Sequence, residues 1–229
     1  MLIDRVAVLM RLAAIEAILP RFRRLERHEI AEKSPGEVVT AADAHAERLL
    51  APRLCDLLPG SRVVGEEAAA ADPSLLEGLA SGTVWLVDPL DGTANFAAGR
   101  PPFAVMVALL RDGVTTTAWI LDPVTDALAV AERGAGAFLD GARVRVAPDD
   151  REARVLDDAG AARVPHHAGA ALVRGSVSAR FLPADHQASI ARRAAGIATL
   201  LPGFLCAGRE YPAIVTAERD FALFWRVLP

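Results

Sequence analysis

Trp85-Leu86-Val87-Asp88-Pro89-Leu90-Asp91-Gly92-Thr93-Ala94-Asn95-Phe96 is the stretch whose reading decides the fold. An apolar run, read as a strand, delivers two carboxylates three residues apart into a turn built on Pro89 and Gly92 and closed by the Thr93 hydroxyl. Carboxylates held that close repel each other, and one would take up a proton unless a cation stood between them. Hard oxygen donors of this kind, Asp side chains and a tight-loop carbonyl, suit Mg2+. Gly92 permits close backbone approach, and Thr93 opens the next segment with N–H groups able to hold a phosphate. The plain alternative is a surface turn with a proline at its first corner and a capping threonine.

Upstream acidic residues favour the first reading. Val63-Val64-Gly65-Glu66-Glu67 is a short strand that ends in two acids. Val38-Val39-Thr40-Ala41-Ala42-Asp43 leads into a helix with Ala46, Leu49, Leu50, Leu54 and Leu57 on one side. Thr40 and Asp43 satisfy a capping box, and an acid in the first turn also favours the helix dipole. Asp43 is read as doing both: capping the helix and facing the metal site. Glu66 falls at a strand end near Asp88, which ends the next strand, and strand ends are where open sheets present their ligands. An exposed carboxylate is the alternative for Glu66, and more so for Glu67.

The remaining pattern is coarser. Leu2 to Leu19 spaces its apolar residues as a helix, which Pro20 should kink or end. Arg21 to Arg27 reads as a solvated helix face, with a basic rim for anions as the other option. Ser34-Pro35-Gly36 reads as a loop, Pro59-Gly60 as a helix end, and residues 68–82 as a mobile loop. From Phe103 the period changes to that of strands. Asp112-Gly113 and Asp140-Gly141 mark hairpins, and Asp122-Pro123 marks another turn, so residues 103–146 read as an antiparallel meander. Residues 147–168 are poorly patterned. His166 and His167 are adjacent and lack a partner at ligand spacing, which argues against a metal site there. Residues 172–177 and 221–228 read as strands, and 185–198 and 204–217 as helices.

Composition sets outer bounds. The 229 residues are 52% hydrophobic, with a mean hydropathy of +0.28. No uncharged apolar run approaches the ~20 residues that span a bilayer. Asp4, Arg5 and Arg11 make the N-terminus an amphipathic helix and not a signal peptide. A net charge of -4 gives no case for a nucleic acid polymer as partner. Cys55 and Cys206 form no CxxC pair, so a reduced, cytoplasmic setting is expected, without a structural disulfide or zinc site. Lys33 is the only lysine among 25 basic residues.

The segment Asp88 to Phe96 resembles in full the signature of the inositol monophosphatase-like family of Mg-dependent phosphatases, Asp-Pro-Ile/Leu-Asp-Gly-Thr-x-Asn-Phe. The Gly65-Glu66-Glu67 and Val39-Thr40-Ala41-Ala42-Asp43 elements resemble two further family motifs in order and spacing. The resemblance implies an α/β (α+β) fold, the layered α-β-α-β-α sandwich of the sugar and inositol phosphatases. An N-terminal metal-binding half (1–148) and an incomplete C-terminal half (149–229) would form one compact unit. It implies hydrolysis of a small phosphate monoester, inositol-, histidinol- or sugar-phosphate-like, by direct attack of water. Two or three Mg2+ ions would be needed. Glu66, Asp88 and the Leu90 carbonyl would hold one, and Asp88 would bridge to a second held also by Asp91. Asp43, Thr93 and Glu66 would be catalytic, with Thr93 and Asp43 orienting the water, and Asp91, Gly92 and Thr93 would bind the phosphate. The implied partners are a small phosphorylated substrate and a second copy in a homodimer, with no membrane.

The family's C-terminal Trp-Asp segment, which carries its last metal ligand, would begin just after Pro229, so a fragment of a longer protein is expected, with a natural truncation of impaired activity as the alternative. Phe224 stands where inositol-type relatives place a substrate-contacting Glu. Cys206-Ala207-Gly208-Arg209 stands where they have Gly-Ser/Thr-Ala-Ala. Both departures point away from myo-inositol 1-phosphate as the main substrate. A 3'-phosphonucleotide is the alternative substrate, and a non-catalytic binding or regulatory protein of the same fold is the alternative function.

Overall fold

The computed structural model describes residues 1–34, 36–145, 155–156, 162–163, 172–178 and 182–224. They divide into two units, Met1–Val144 with Leu205–Arg209, and Arg145–Phe204 with Glu210–Pro229. The readings made on Pro35, Val146, His166, His167 and residues 225–229 lie outside the described residues.

The first unit is laid out around a seven-stranded sheet. Strands β3 (Arg62–Gly65), β4 (Thr83–Asp91), β5 (Ala104–Arg111), β6 (Val114–Leu121), β7 (Leu128–Glu132), β8 (Gly136–Leu139) and β9 (Ala142–Val144) stand side by side in chain order. β3 runs parallel to β4, and every later pairing is antiparallel. The meander therefore forms as its turns dictate. Asp112-Gly113 and Asp140-Gly141 both adopt left-handed backbone, with φ of 49° and 76° in the first and 49° and 78° in the second. That geometry matches the twist of the flanking strands. A separate hairpin, β1 (Ile30–Ser34) with β2 (Glu37–Thr40), stands where the sequence signals only a loop around Pro35.

Alternation along β4 sends Trp85 and Val87 to one face and Val84 to the other. On the first face, Trp85, Val87, Val105, Val107, Trp119 and Leu121 form a core with Val6 and Met10 of α1 (Leu2–Ala13) and Ala46, Leu50 and Leu54 of α2 (Ala41–Leu57). Each large side chain taken out of water there contributes about 1.5–3 kcal/mol. The two indoles are anchored at their polar ends: Trp85 Nε1 donates to Ser61 Oγ (3.0 Å) and Trp119 Nε1 to the Ile3 carbonyl (3.3 Å). α1 continues as one π-helical turn, Ala14–Ile18, and the helix stops before Pro20, as expected.

The opposite face corrects the reading of residues 68–82. They are not an unstructured loop: α3 (Glu66–Ala71) and a 3-10 turn (Pro73–Leu76) place Ala69, Leu75 and Leu79 over Val64, Val84 and Leu110. Arg21 to Arg27 is likewise not a helix face. Arg21 turns inward to Glu29 (3.1 Å) and within 3.3 Å of His45 Nδ1, and the chain there runs through turns.

In the second unit, β12 (Val173–Ser178) pairs in parallel with β13 (Ala198–Leu200) and β14 (Phe221–Phe224). α5 (Ala184–Ala194) is shorter than the expected 185–198 helix, because Gly196 takes φ of +79° and the chain re-enters the sheet at Ala198. β10 (Val155–Leu156) and β11 (Ala162–Arg163) form a two-residue ladder. α6 spans Ala207–Val215, and its residues from Glu210 onward belong to this unit. A buried ion pair, Arg219 Nη1 to Glu210 Oε2 at 2.9 Å, ties the unit together, with Arg219 Nη2 donating to the Pro202 carbonyl (2.7 Å).

Candidate active site

Residues three apart on a regular strand face opposite ways, so Asp88 and Asp91 would not meet on an unbroken β4. The register shows how they do. Asp88 pairs with Met106 and Asp91 with Ala104, three steps on β4 against two on β5. One extra residue bulges the strand and turns the second carboxylate to the side of the first. The Asp88 carboxylate accepts the Leu90 N–H (3.1 Å), which shapes the bulge from within. Gly92 then reverses the chain with φ of +83°. A side chain there would also press on the Pro102 carbonyl (3.0 Å) and Phe103 Cα (3.2 Å), so both backbone and space require glycine.

Thr93 begins α4 (Thr93–Ala97), where its hydroxyl lies 3.1 Å from Asp43 Oδ1 and 2.8 Å from the Leu90 carbonyl. One hydroxyl proton serves one of these acceptors at a time, leaving lone pairs to receive a hydrogen bond. Asp43 is buried, and its other oxygen accepts from the Thr40 N–H (2.8 Å) and Thr40 hydroxyl (2.6 Å). The capping box read from the sequence is thus formed, and the same carboxylate reaches Thr93 fifty residues away.

Glu66 and Glu67 open α3 at the end of β3, as the Gly-Glu-Glu element led one to expect. Their orientation depends on Glu47, which the sequence reading passed over. From one turn beyond Asp43 on α2, the Glu47 carboxylate accepts the N–H groups of Glu67 (2.9 Å) and Ala68 (3.0 Å). A side chain on Gly65 would fall on that carboxylate. Two acids one turn apart on the buried side of a helix were the available signal. Lys33, on β1, was the second omission: its ammonium lies 3.2 Å from Glu66 Oε1 and 2.6 Å from Glu67 Oε1. The third was Gly208, whose N–H donates to Asp91 Oδ2 at 2.7 Å. The Cys206 thiol also approaches the Asp91 carbonyl. Nothing local in the sequence links residue 91 to residue 208.

Electrostatics mark the cluster. Burial pushes the Asp43 carboxyl up to about 6, against the opposing hydrogen bonds from Thr40 and Thr93. Asp88 is raised well above the ordinary range, first by burial and then by the charges of Glu66 and Asp91. Asp91 is raised chiefly by burial, although the Gly208 N–H favours its ionised form. Glu67 is raised by burial in spite of Lys33. For Lys33, burial works to lower the value, but the bond to Glu67 and the two carboxylate charges outweigh it, so the ammonium is held more firmly than usual. Perturbed acids gathered in one place are a mark of functional sites, and of structural ion-pair networks as well.

The structure brings together Asp43 with Thr93, Asp88 with Glu66 and Asp88 with Asp91. It does not close them into one cage: among the described residues, no group of three or more His, Cys, Asp or Glu side chains is placed to hold a metal ion. The donor set, all oxygen and rich in mutually repelling carboxylates, fits a hard divalent cation. The charge that meets Glu66 here is the Lys33 ammonium.

The chain belongs to the inositol monophosphatase family, whose model matches residues 3–221. It is 40% identical over 125 residues to an inositol-1-monophosphatase of Rhizobium meliloti, which covers 55% of this chain and 45% of that protein. It is 38% identical over 123 residues to the Nus factor SuhB of Vibrio cholerae, covering 54% and 44%. The chain thus spans about half the length of the curated relatives it matches. Among solved structures it resembles the extragenic suppressor protein suhB of Bartonella henselae (TM-score 0.71, 25% identity, 99% of this chain and 78% of that one). It also resembles an IMPase of Thermotoga maritima (TM-score 0.71, 23% identity, 98% and 76%). The α+β fold expected from the sequence is the fold of these proteins. Among the described residues, no helix is long and apolar enough to cross a membrane.

Proposed function

We propose that this site hydrolyses a small phosphate monoester with the help of Mg2+. Glu66, Asp88, Asp91 and the Leu90 carbonyl would hold the cation. When bound, it supplies charge neutralisation for the phosphate and Lewis acidity for a water. The chain's own groups do the rest. Thr93, backed by Asp43, receives and orients a water through its hydroxyl. Asp43, with its proton affinity raised to about 6, is suited to take a proton near neutral pH. Gly92 and Thr93, at the start of α4, approach the phosphate with backbone N–H groups. The observation that carries the reading is the β4 bulge, which turns Asp88 and Asp91 to one side beside Glu66.

The test is Mg2+-dependent release of inorganic phosphate from a panel of inositol, histidinol, sugar and 3'-nucleotide monophosphates. Release that needs Mg2+ and disappears in Asp88→Asn is expected. No release from any member, or release unaffected by chelator, refutes the assignment. Relatives named Nus factor SuhB support a second reading, a binding or regulatory protein of this fold. A chain that binds Mg2+ yet turns over no monophosphate would favour that reading. The homodimer expected of the family is checked by light scattering.

A further inference from the structure

α1 and the π-helical turn that continues it carry apolar side chains on two sides. Val6, Met10, Ala13 and Ala17 face inward and are buried in the core. Val8, Leu12 and Ile15 face outward and are 53%, 38% and 62% exposed. Their spacing sets them side by side in one stripe. A helix that is apolar on both sides is ordinarily covered on both, and a stripe of large side chains left in water marks an interaction surface. The charges beside the stripe say what covers it. Asp4 is paired with the Met1 amine (3.1 Å) and Arg11 with Asp126 Oδ1 (2.6 Å). Arg5 and Glu16 are exposed, and among the described residues neither has an ion-pair partner. The outer face therefore runs Arg5, Val8, Leu12, Glu16, at spacings of three and four residues. Taken from its other end, this row is its own complement: base opposite acid, Val8 opposite Leu12, acid opposite base.

We infer that α1 docks against α1 of a second copy of this chain, antiparallel about a two-fold axis, with Arg5 of each copy paired to Glu16 of the other and Val8 of each packed on Leu12 of the other. The homodimer expected of the family leaves the surface open, and this stripe supplies it. None of these groups belongs to the proposed active site, so the pairing does not depend on the phosphatase reading. A two-fold interface uses one patch on both copies, which a self-complementary row satisfies. A parallel pairing would set Arg5 against Arg5 and Glu16 against Glu16, and would align the two helix dipoles. Three apolar side chains from each copy make a small interface, of the size of transient contacts, so the dimer forms and parts with concentration. Reversing one charge turns two attractive pairs into two repulsive ones, a weakening of about 5- to 30-fold.

Sedimentation equilibrium of the full chain over a wide concentration range, at low and at high salt, tests the pairing. The parent is expected to pass from monomer to dimer, and less readily at high salt, where exposed ion pairs are screened. Arg5→Glu and Glu16→Arg are each expected to dimerise about 5- to 30-fold more weakly than the parent. Mixed in equal amounts, these two variants are expected to associate as the parent does, because acids at both positions of one chain then meet bases at both positions of the other. Arg5→Glu combined with Glu16→Arg in one chain keeps both pairs and is expected to dimerise as the parent does; it carries the test where a single reversal fails to fold by circular dichroism. Leu12→Gln, which removes the apolar centre, is expected to weaken the dimer as well. A parent that stays monomeric at every concentration overturns the inference. A dimer indifferent to both reversals and to Leu12→Gln uses another face and overturns it too. Weakening in the single variants without recovery in their mixture or in the double swap overturns the antiparallel pairing.

Discussion

Glu47 and Gly65 should behave as one unit, and a double-mutant cycle measures it. Glu47→Ala removes a buried carboxylate that accepts two N–H groups at the start of α3, from Glu67 at 2.9 Å and Ala68 at 3.0 Å. Hydrogen bonds to a charged group contribute roughly 1.5–3 kcal/mol each, and water can replace part of the loss at this half-buried turn, so a net cost of about 2–4 kcal/mol is expected. For a chain of this size that lowers the melting temperature by roughly 5–15 °C. Gly65→Ala leaves the backbone comfortable, since φ of -89° and ψ of 156° suit any residue. Its cost comes wholly from driving Cβ into the Glu47 carboxylate, about 1–3 kcal/mol. Once that carboxylate is gone, the three atoms nearest the added methyl are gone with it. The double variant should therefore be no less stable than Glu47→Ala alone, with a coupling energy close to the full cost of Gly65→Ala. Urea unfolding of the four proteins gives the answer. Additive costs would show that Glu47 is not what excludes a side chain at position 65. A Glu47→Ala variant within about 0.5 kcal/mol of the parent would show that α3 is not held by this cap.

Three further outcomes follow from the same geometry. Asp43 binds a proton more readily folded than unfolded, with a value of about 6 against the ordinary 3.8. The folded state therefore carries the extra proton between those values, and metal-free stability should fall as pH rises from about 4 to 6, by on the order of 2–3 kcal/mol. Melting curves in chelator should show a steeper slope in the parent than in Asp43→Asn by this amount, the slope that remains coming from Asp88, Asp91 and Glu67, whose carboxyls are raised as well; equal slopes would contradict the assignment. Arg219→Ala strands Glu210, buried with it, and should cost about 3–5 kcal/mol in urea unfolding, whereas a loss below 1 kcal/mol would mean that the pair is dispensable. Thr93→Val keeps the shape of α4 but removes the hydroxyl that faces Asp43, so phosphate release should drop by about 10²–10⁴-fold while Mg2+ binding persists; full activity would exclude Thr93 from handling the water.

Local signals carried most of what was legible in the sequence. The Thr40–Asp43 box, the Asp-Gly hairpins and the apolar strand that carries Asp88 are set by residues within a few positions of each other, and all three formed as read. What the sequence hid was made by partners far apart. The bulge that turns Asp91 toward Asp88 is a matter of register against β5, which no single strand reveals. Glu47 reaches a helix 20 residues on, and Gly208 reaches Asp91 across 117. Of Arg21 to Arg27, Arg23, Arg24 and Arg27 face solvent as charge suggested, whereas Glu29 and His45 draw Arg21 inward and the chain runs mainly through turns where a helix was read. Residues 68–82 looked too poor in pattern to fold, yet Ala69, Leu75 and Leu79 pack over Val64, Val84 and Leu110.

Calorimetric titration of Mg2+ into the parent chain and into Asp88→Asn, at one pH and ionic strength, is the most direct measurement of all. Saturable binding by the parent, weakened at least tenfold by a substitution that removes one charge from the centre of the acidic cluster, is expected. Equal affinity in the two proteins would mean that Asp88 and its neighbours do not hold the cation, and the phosphatase assignment would lose its foundation.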